Sequence, residues 1–427
     1  MKIAQQNIQE FNQKHIIKHK NRFDFISSEL SDRSIDVDAI VQTLSDFQVA
    51  VPSWALGAGG TRFGRFSFGG EPSTLEEKID DVGLIHALTH TAGAISLHIP
   101  WDIPSDAAAI RERAADRGLV FDAVNSNTFQ DQSDQEYSYK YGSLCHVDAK
   151  VRRQAIDHNI QVVEYGEALG SKSLTVWLAD GTSFPGQHNF RKAHQHTQSS
   201  LKEIYNAMPD DWKLYIEYKP YEPNFYSMVI PDWGTSLAFA QECGPRAHTL
   251  VDLGHHLPNT NIEQIVAILM TKGRLGGFHF NDSKYGDDDL TVGSIKPYQL
   301  FLIFNELVYG MENNVADNPP LAWMIDASHN LKDPLEDLMQ SLDAILVAYA
   351  QALLIDRVAL EQAQEASNVA ACQDILQQAY RTDVRAIVAE SRLRAGAAID
   401  PVAAYRSMRL RDQLIDTRGL HVTATGL

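Results

Sequence analysis

Between about residues 46 and 331, short apolar runs alternate with longer amphipathic stretches, eight times over. The runs are Val49–Leu56, Ala94–Pro100, Leu119–Val124, Ser173–Ala179, Lys213–Tyr218, His248–Leu253, Gly276–Asn281 and Leu321–Asp326. The stretches between them, among them Glu76–His90, Ala107–Arg117, Val151–Leu169, Asn261–Lys272 and Pro297–Asn314, carry apolar residues at helical spacing. Strand and helix repeated in this way predict an α/β chain folded as a (β/α)8 TIM barrel. A doubly wound sheet is the competing topology. It calls for a Gly-rich phosphate fingerprint after the first strand, and Gly57-Ala58-Gly59-Gly60-Thr61-Arg62 lacks that spacing.

Three segments follow: a polar, partly helical lead-in over 1–45, the barrel over 46–331, and a helical extension over 332–427. All six Trp lie between Trp54 and Trp323, and beyond 332 the strand-like runs stop. Ala, Leu, Gln, Asp and Arg then recur at helical spacing, as in Leu338–Leu354 and Val384–Leu393. The apolar faces of such helices must be buried, against the barrel or against another subunit.

Cys145, Cys243 and Cys372 are odd in number and far apart, without a Cys-x-x-Cys, which suits idle thiols in a reducing compartment. The opening residues carry no apolar core of a signal peptide, and no apolar run approaches the ~18–20 residues of a membrane span. A cytoplasmic, soluble protein is expected. Its net charge of −18, from 37 Lys plus Arg against 55 Asp plus Glu, opposes binding to nucleic acid or anionic lipid.

In such a barrel the residues at the C-terminal ends of the strands face the active site. The second strand ends at His98-Ile99-Pro100-Trp101-Asp102, and the fourth carries Trp177 and then Asp180. The fifth ends Glu217-Tyr218-Lys219, the sixth Asp252-Leu253-Gly254-His255, and the seventh His279-Phe280-Asn281-Asp282, followed by Asp287-Asp288-Asp289. The eighth ends at Asp326. Each alone would pass as a helix cap, a core histidine or a solvated turn. Together, Glu217, Asp252, His255, His279, Asp287, Asp289 and Asp326 converge on one rim with no Arg cluster to balance them. Packed carboxylates need a counter-charge, and divalent cations supply it. A carboxylate-dominated set with imidazoles and no thiolate suits Mn²⁺, Mg²⁺ or Co²⁺ better than structural zinc. Seven ligands exceed one octahedron once water and substrate are admitted, so two ions per subunit are expected. Lys219 lies two residues after Glu217, on the same strand face, and is placed to act as an electrophile.

These motifs resemble the L-rhamnose isomerase family, within the wider xylose-isomerase-like barrels. The likeness rests on Leu97-His98-Ile99-Pro100-Trp101-Asp102, Ile216-Glu217-Tyr218-Lys219-Pro220, Val251-Asp252-Leu253-Gly254-His255, Gly277-Phe278-His279-Phe280-Asn281-Asp282, Asp287-Asp288-Asp289 and Ile325-Asp326-Ala327-Ser328-His329. By the resemblance, Glu217, Asp252, His279 and Asp326 hold a first ion. Asp252 bridges to a second, held by His255, Asp287 and Asp289. The family also implies Mn²⁺ first, with Co²⁺, Mg²⁺ or Zn²⁺ as alternatives, and a homotetramer. A His at the seventh strand end, where xylose isomerases place a carboxylate, separates the two groups.

The resulting expectation is an aldose–ketose isomerase of rhamnose metabolism acting on a small sugar. Lys219 would hydrogen-bond O1, His98 would act as acid and base in ring opening, and Asp326 would join the catalytic set. Trp101, Trp177 and Phe63 or Phe66 would form the wall against the sugar's C–H face. Asn125 and Asn127 would touch a hydroxyl or shape a turn. Two other activities compete. A ketose 3-epimerase uses two opposed glutamates, whereas only one Glu stands among these strand-end motifs. An abasic-site endonuclease needs a basic face, which −18 opposes.

Overall fold

The computed structural model describes residues 1–56, 67–222, 225–313, 322–327 and 331–420. Eight strands form a closed barrel: β1 (Ala50–Pro52), β2 (Ala94–Ile99), β3 (Val120–Ser126), β4 (Ser173–Val176), β5 (Lys213–Glu217), β6 (Ala247–Asp252), β7 (Leu275–Phe280) and β8 (Ala322–Ile325). Neighbours in sequence are neighbours in the barrel, and each pair is parallel. Ala50 of β1 stands opposite Met324 of β8, which closes the ring.

Strands covered by helices outside and side chains inside are buried on both faces, so they read as apolar runs. β7 shows how this places a functional group. Phe278 and Phe280 point outward, where Phe280 stacks on Phe304 with ring centroids 5.8 Å apart. By the two-residue period of a strand, His279 between them faces the barrel interior.

Ten helices take part in or flank the ring: α1 (Gln5–Ser31), α2 (Val37–Asp46), α3 (Leu75–Thr89), α4 (Ala107–Ala115), α5 (Ala149–Leu169), α6 (Phe190–Ala207), α7 (Trp233–Cys243), α8 (Ile262–Thr271), α9 (Pro297–Asn313) and α10 (Pro334–Leu353). Several acidic residues in the strand-to-helix loops serve as caps. Asp106 accepts from Ala108 N and Ala109 N, Asp148 from Lys150 N, Asp232 from Thr235 N and Asp333 from Leu335 N. Their lone pairs satisfy helix N–H groups.

The helical run Leu338–Leu354, expected within the extension over 332–427, falls in α10. In the structure α10 packs against α9 on one side and α3 on the other, the position of the eighth barrel helix. The physical reason is that β8 needs the same outer cover as every other strand. The chain continues through α11 (Arg357–Glu365), α12 (Val369–Arg381), α13 (Arg385–Arg394), α14 (Pro401–Ser407) and α15 (Leu410–Arg418). α13 packs on α1 and α2, and α14 on α3. Ile387, Val388, Tyr405, Leu410 and Leu414 are buried within the chain itself. Arg418 is held by both oxygens of buried Asp81, each at 2.8 Å. Among the described residues no single helix is long and apolar enough to cross a membrane.

Candidate active site

Three strand ends deliver the centre of the site. Glu217 closes β5, Asp252 closes β6, and His279 lies one residue before the end of β7. All three are buried, and one ligand atom from each lies within 4.8 Å of the others. His279 Nδ1 is 3.2 Å from Glu217 Oε1, 3.7 Å from Asp252 Oδ2 and 3.6 Å from Asp326 Oδ2. Asp252 Oδ1 accepts from Gly254 N at 2.7 Å and Asn281 Nδ2 at 2.8 Å. Its Oδ2 is buried without a hydrogen-bond partner among the described residues. A buried carboxylate oxygen left bare is costly, and a cation in the cluster would satisfy it.

His255 joins from the β6 loop. Its Nδ1 is 3.1 Å from Glu217 Oε1, and its Nε2 is 3.0 Å from Asp287 Oδ1 and 3.9 Å from Asp252 Oδ2. Gly254 makes this turn feasible, since a Cβ there would sit 3.0 Å from Asn281 Oδ1. The acidic triplet after β7 divides its labour. Asp288 turns back on its own loop, accepting from Ser283 Oγ, Lys284 N and Tyr285 N. Asp287 and Asp289 take left-handed φ of 52° and 48° and line the cavity. Asp is among the few non-glycine residues that hold that conformation with any frequency.

Lys219 is buried, with its Nζ paired to both Glu222 and Asp287 and 5.4 Å from the Trp177 ring centroid. The amine expected to face substrate is thus anchored to one of the expected metal ligands. Glu222 also lines the cavity, which corrects the expectation of a single glutamate. It lies three residues after Lys219, in a loop rather than at a strand end, and so escaped the strand-end reading.

The charges are strongly coupled. Burial raises the carboxyls of Asp252 and Asp289, and lifts Asp326 to about 7. Burial opposes the charge of Glu217 too, yet the imidazoles of His279 and His255 hold its carboxyl down at about 2. Burial likewise opposes charge on His279, but Glu217 and its neighbours push it up to about 9, and Asp252 and Asp287 raise His255 well above its ordinary value. Groups this close are neutralised by protons on imidazoles and carboxyls or by a cation among them. A divalent ion, which needs its ligands deprotonated, is the chemical substitute for those protons. The donor set of oxygens and imidazole nitrogens suits such an ion.

The cluster lines one side of a cavity of about 580 Å³, also bordered by Trp54, His98, Trp101, Phe129 and Trp177. His98 stacks on Trp101, with centroids 4.1 Å apart, and meets Trp54 and Phe129 edge-on at 5.5 Å. Burial, with His158 and Lys78 nearby, drives the His98 imidazole down to about 3, so it is neutral at ordinary pH. Its Nδ1, the Trp177 Nε1 and the Ser126 Oγ are buried without hydrogen-bond partners among the described residues. Asn125 lines the cavity, but its Nδ2 is committed to Ser96 Oγ and Leu97 O. Asn127 is tied by its N–H to His158 Nε2. Phe63 and Phe66 lie outside the described residues. Asp180, which sat on the same rim in sequence, accepts from Ser143 N, Ser143 Oγ and Cys145 N and shapes a loop. Trp54 and Phe129 were missed. Trp54 sits within the first run, where a strand-end reading centred on charge passes over an indole.

Residues 86–329 match the family described as the xylose isomerase-like TIM barrel. The chain belongs to that family. Two relatives share most of this chain. A "Probable sugar isomerase" of Rhizobium meliloti (strain 1021) is 52% identical over 396 residues, 93% of this chain and 92% of that protein. One of the same description from Mesorhizobium japonicum (strain LMG 29417 / CECT 9101 / MAFF 303099) is 52% identical over 393 residues, 92% and 91% of the two chains. Among solved structures, a 3-keto-D-glucoside 4-epimerase from E. coli aligns with a TM-score of 0.50 at 10% identity, covering 70% of this chain and 99% of that one. That is a likeness of fold alone. The xylose isomerase-like fold typically binds divalent metals, and a buried Glu217–Asp252–His279 group is present here.

Proposed function

We propose that the chain is a metal-dependent aldose–ketose isomerase that interconverts L-rhamnose and L-rhamnulose and accepts further aldoses. The observation that carries this is the buried Glu217–Asp252–His279 group, with Asp252 Oδ2 unpartnered, beside an aromatic-walled cavity of sugar size. The 52% identity to proteins named as sugar isomerases supports the reaction class. The rhamnose assignment rests on the strand-end motifs.

Glu217, Asp252, His279 and Asp326 would hold one divalent ion, and Asp252, His255, Asp287 and Asp289 a second, Mn²⁺ by preference. Bound there, the ions supply Lewis acidity toward adjacent sugar oxygens. The isomerisation moves a hydrogen from C2 to C1 and a proton from O2 to O1. Lys219 would donate a hydrogen bond to O1, and Asp326 would exchange the hydroxyl proton. The neutral His98 imidazole would take the O1 hydroxyl proton and return a proton to the ring oxygen as the bond from C1 to that oxygen breaks. Trp101, Trp177 and Trp54 would pack on the C–H faces and exclude water.

The deciding experiment strips the protein with chelator, reloads one metal at a time and follows L-rhamnose, a panel of aldoses and a panel of ketoses by product NMR. No turnover of any aldose by the Mn²⁺ form would defeat the reading. Epimerised ketoses as the only products would turn it to the 3-epimerase. The assembly proposed with this function is a cytoplasmic homotetramer, and light scattering on the full chain gives its mass.

A further inference from the structure

Behind the aromatic wall lies an ion pair that no step above uses. Lys78, on α3, and Asp102, after β2, are each 2% exposed. Lys78 Nζ stands 2.7 Å from Asp102 Oδ1. Asp102 Oδ2 accepts from the His98 N–H at 2.9 Å and from the Ser53 hydroxyl. One carboxylate therefore joins α3 to the ends of β1 and β2.

Both tethered residues lead directly to the cavity. Ser53 precedes Trp54, whose indole donates to Asp326. The His98 ring stands edge-on to Trp54, at an interplanar angle of 86°. Packing alone does not call for charges at this place. Desolvation of a buried ion pair cancels much of its attraction, and apolar residues of similar volume commonly stabilise as well or better. What a buried, fully bonded carboxylate adds is direction, because its acceptor lobes fix where each donor must sit.

We infer that the Lys78–Asp102 pair is a positioning device, holding His98 and Trp54 at a set depth and angle against the carboxylate cluster. Its kinetic arm rests on the isomerase reading; its spectroscopic arm does not. The test is the double variant Lys78→Met/Asp102→Leu, which replaces the pair by apolar residues and leaves Ser53 Oγ and His98 N–H without their acceptor. With 5-fluorotryptophan incorporated, the ¹⁹F resonances of Trp54 and Trp101, assigned by Trp→Phe substitution, should shift. That of Trp212, buried beside the start of β5 at the opposite end of the barrel, should not. In the Mn²⁺ form, kcat should fall about 10- to 100-fold, as expected for misplacement of order 1 Å. The Mn²⁺ dissociation constant, by calorimetry, should stay within about twofold, since the pair ligates nothing. Unmoved Trp54 and Trp101 resonances in a folded double variant overturn the inference, as does a wild-type kcat. Should the double variant not fold, Asp102→Asn keeps the size, loses the charge and is read the same way. A wild-type protein inactive on all aldoses sinks the isomerase reading alone, and the fluorine spectra then decide the positioning claim.

Discussion

Trp54 Nε1 donates a 2.9 Å hydrogen bond to Asp326 Oδ1, so the turn that follows the first strand of the barrel orients a carboxylate at the end of the last. Because β1 and β8 are neighbours in the closed ring, residues 272 apart in sequence meet across one strand spacing. The indole occupies one carboxylate oxygen and leaves the other, Oδ2, 3.6 Å from His279. A charge-assisted bond of this kind contributes roughly 1.5–3 kcal/mol.

Trp54→Phe keeps the apolar wall and removes that donor. Turnover on the preferred aldose should fall about 10- to 100-fold, the kinetic equivalent of the lost bond. Trp54→Leu should lose about as much through the bond and more through the wall. Steady-state kinetics compare the two. Wild-type kcat/KM in the phenylalanine variant would show that the indole N–H orients nothing.

Metal removal should be visible in stability without any assay of chemistry. A ligand that binds only the folded state adds about 2.7 kcal/mol at a hundredfold excess over its dissociation constant. Chelated protein should therefore melt several degrees lower than protein with excess Mn²⁺. Glu217→Gln and Asp252→Asn should each abolish most of that difference, because each removes an anion from the buried group. Scanning calorimetry with and without Mn²⁺ measures it, and a metal-independent melting point in the wild type would contradict the site.

Lys219 offers a test in which activity and metal binding part company. Its ammonium is paired with Glu222 and with Asp287, a proposed ligand of the second ion. Lys219→Met should depress kcat at least about 100-fold, since the cation acts on developing substrate charge. Mn²⁺ binding should not weaken, because Asp287 loses a competitor for its lone pairs. Calorimetric titration beside turnover checks this; parallel losses in both would make Lys219 a support for the metal site instead.

How far the sequence could be read follows from the physics of each signal. Periodicity and strand length made β2, β5 and β6 legible nearly to the residue, and the strand-end rule brought Glu217, Asp252, His255, His279 and Asp326 to one rim. The closed eight-stranded barrel is as expected from the alternation. Local contacts were less legible. The choice of Asp287 and Asp289 over Asp288 comes from the resemblance and not from spacing, because which member turns inward depends on left-handed backbone angles and on Asp288 capping its own loop. Nor does sequence distinguish a ligand from a cap. Asp180 and Asp326 both follow strands, yet one is saturated by backbone and side-chain donors and the other faces the cavity. The place of α10 is illegible for a different reason. A helix that covers β8 looks no different in sequence from one that packs elsewhere.

The last prediction concerns acid stability and groups remote from the cluster. Burial pushes His86 down to about 4, helped by the neighbouring His90, and burial does the same to His158, against a partial rise from the Ile99 backbone. Both histidines are therefore neutral in the folded protein from about pH 4 upward. In the unfolded chain they take up protons below about 6.5. The unfolded state then binds more protons than the folded state, so stability falls as pH drops from about 6.5 toward 4 and is insensitive to these two groups above that window. Each contributes at most roughly 3 kcal/mol to the loss, from about 2.5 units at 1.36 kcal/mol per unit. His158→Gln retains an acceptor for the Asn127 N–H and cannot titrate, and His86→Leu removes a ring whose Nδ1 has no hydrogen-bond partner. Melting temperatures of both variants between pH 4 and 7 should fall less steeply than those of the wild type while matching its slope above pH 7. Slopes indistinguishable from wild type below pH 6.5 would mean that these two histidines contribute nothing to acid sensitivity.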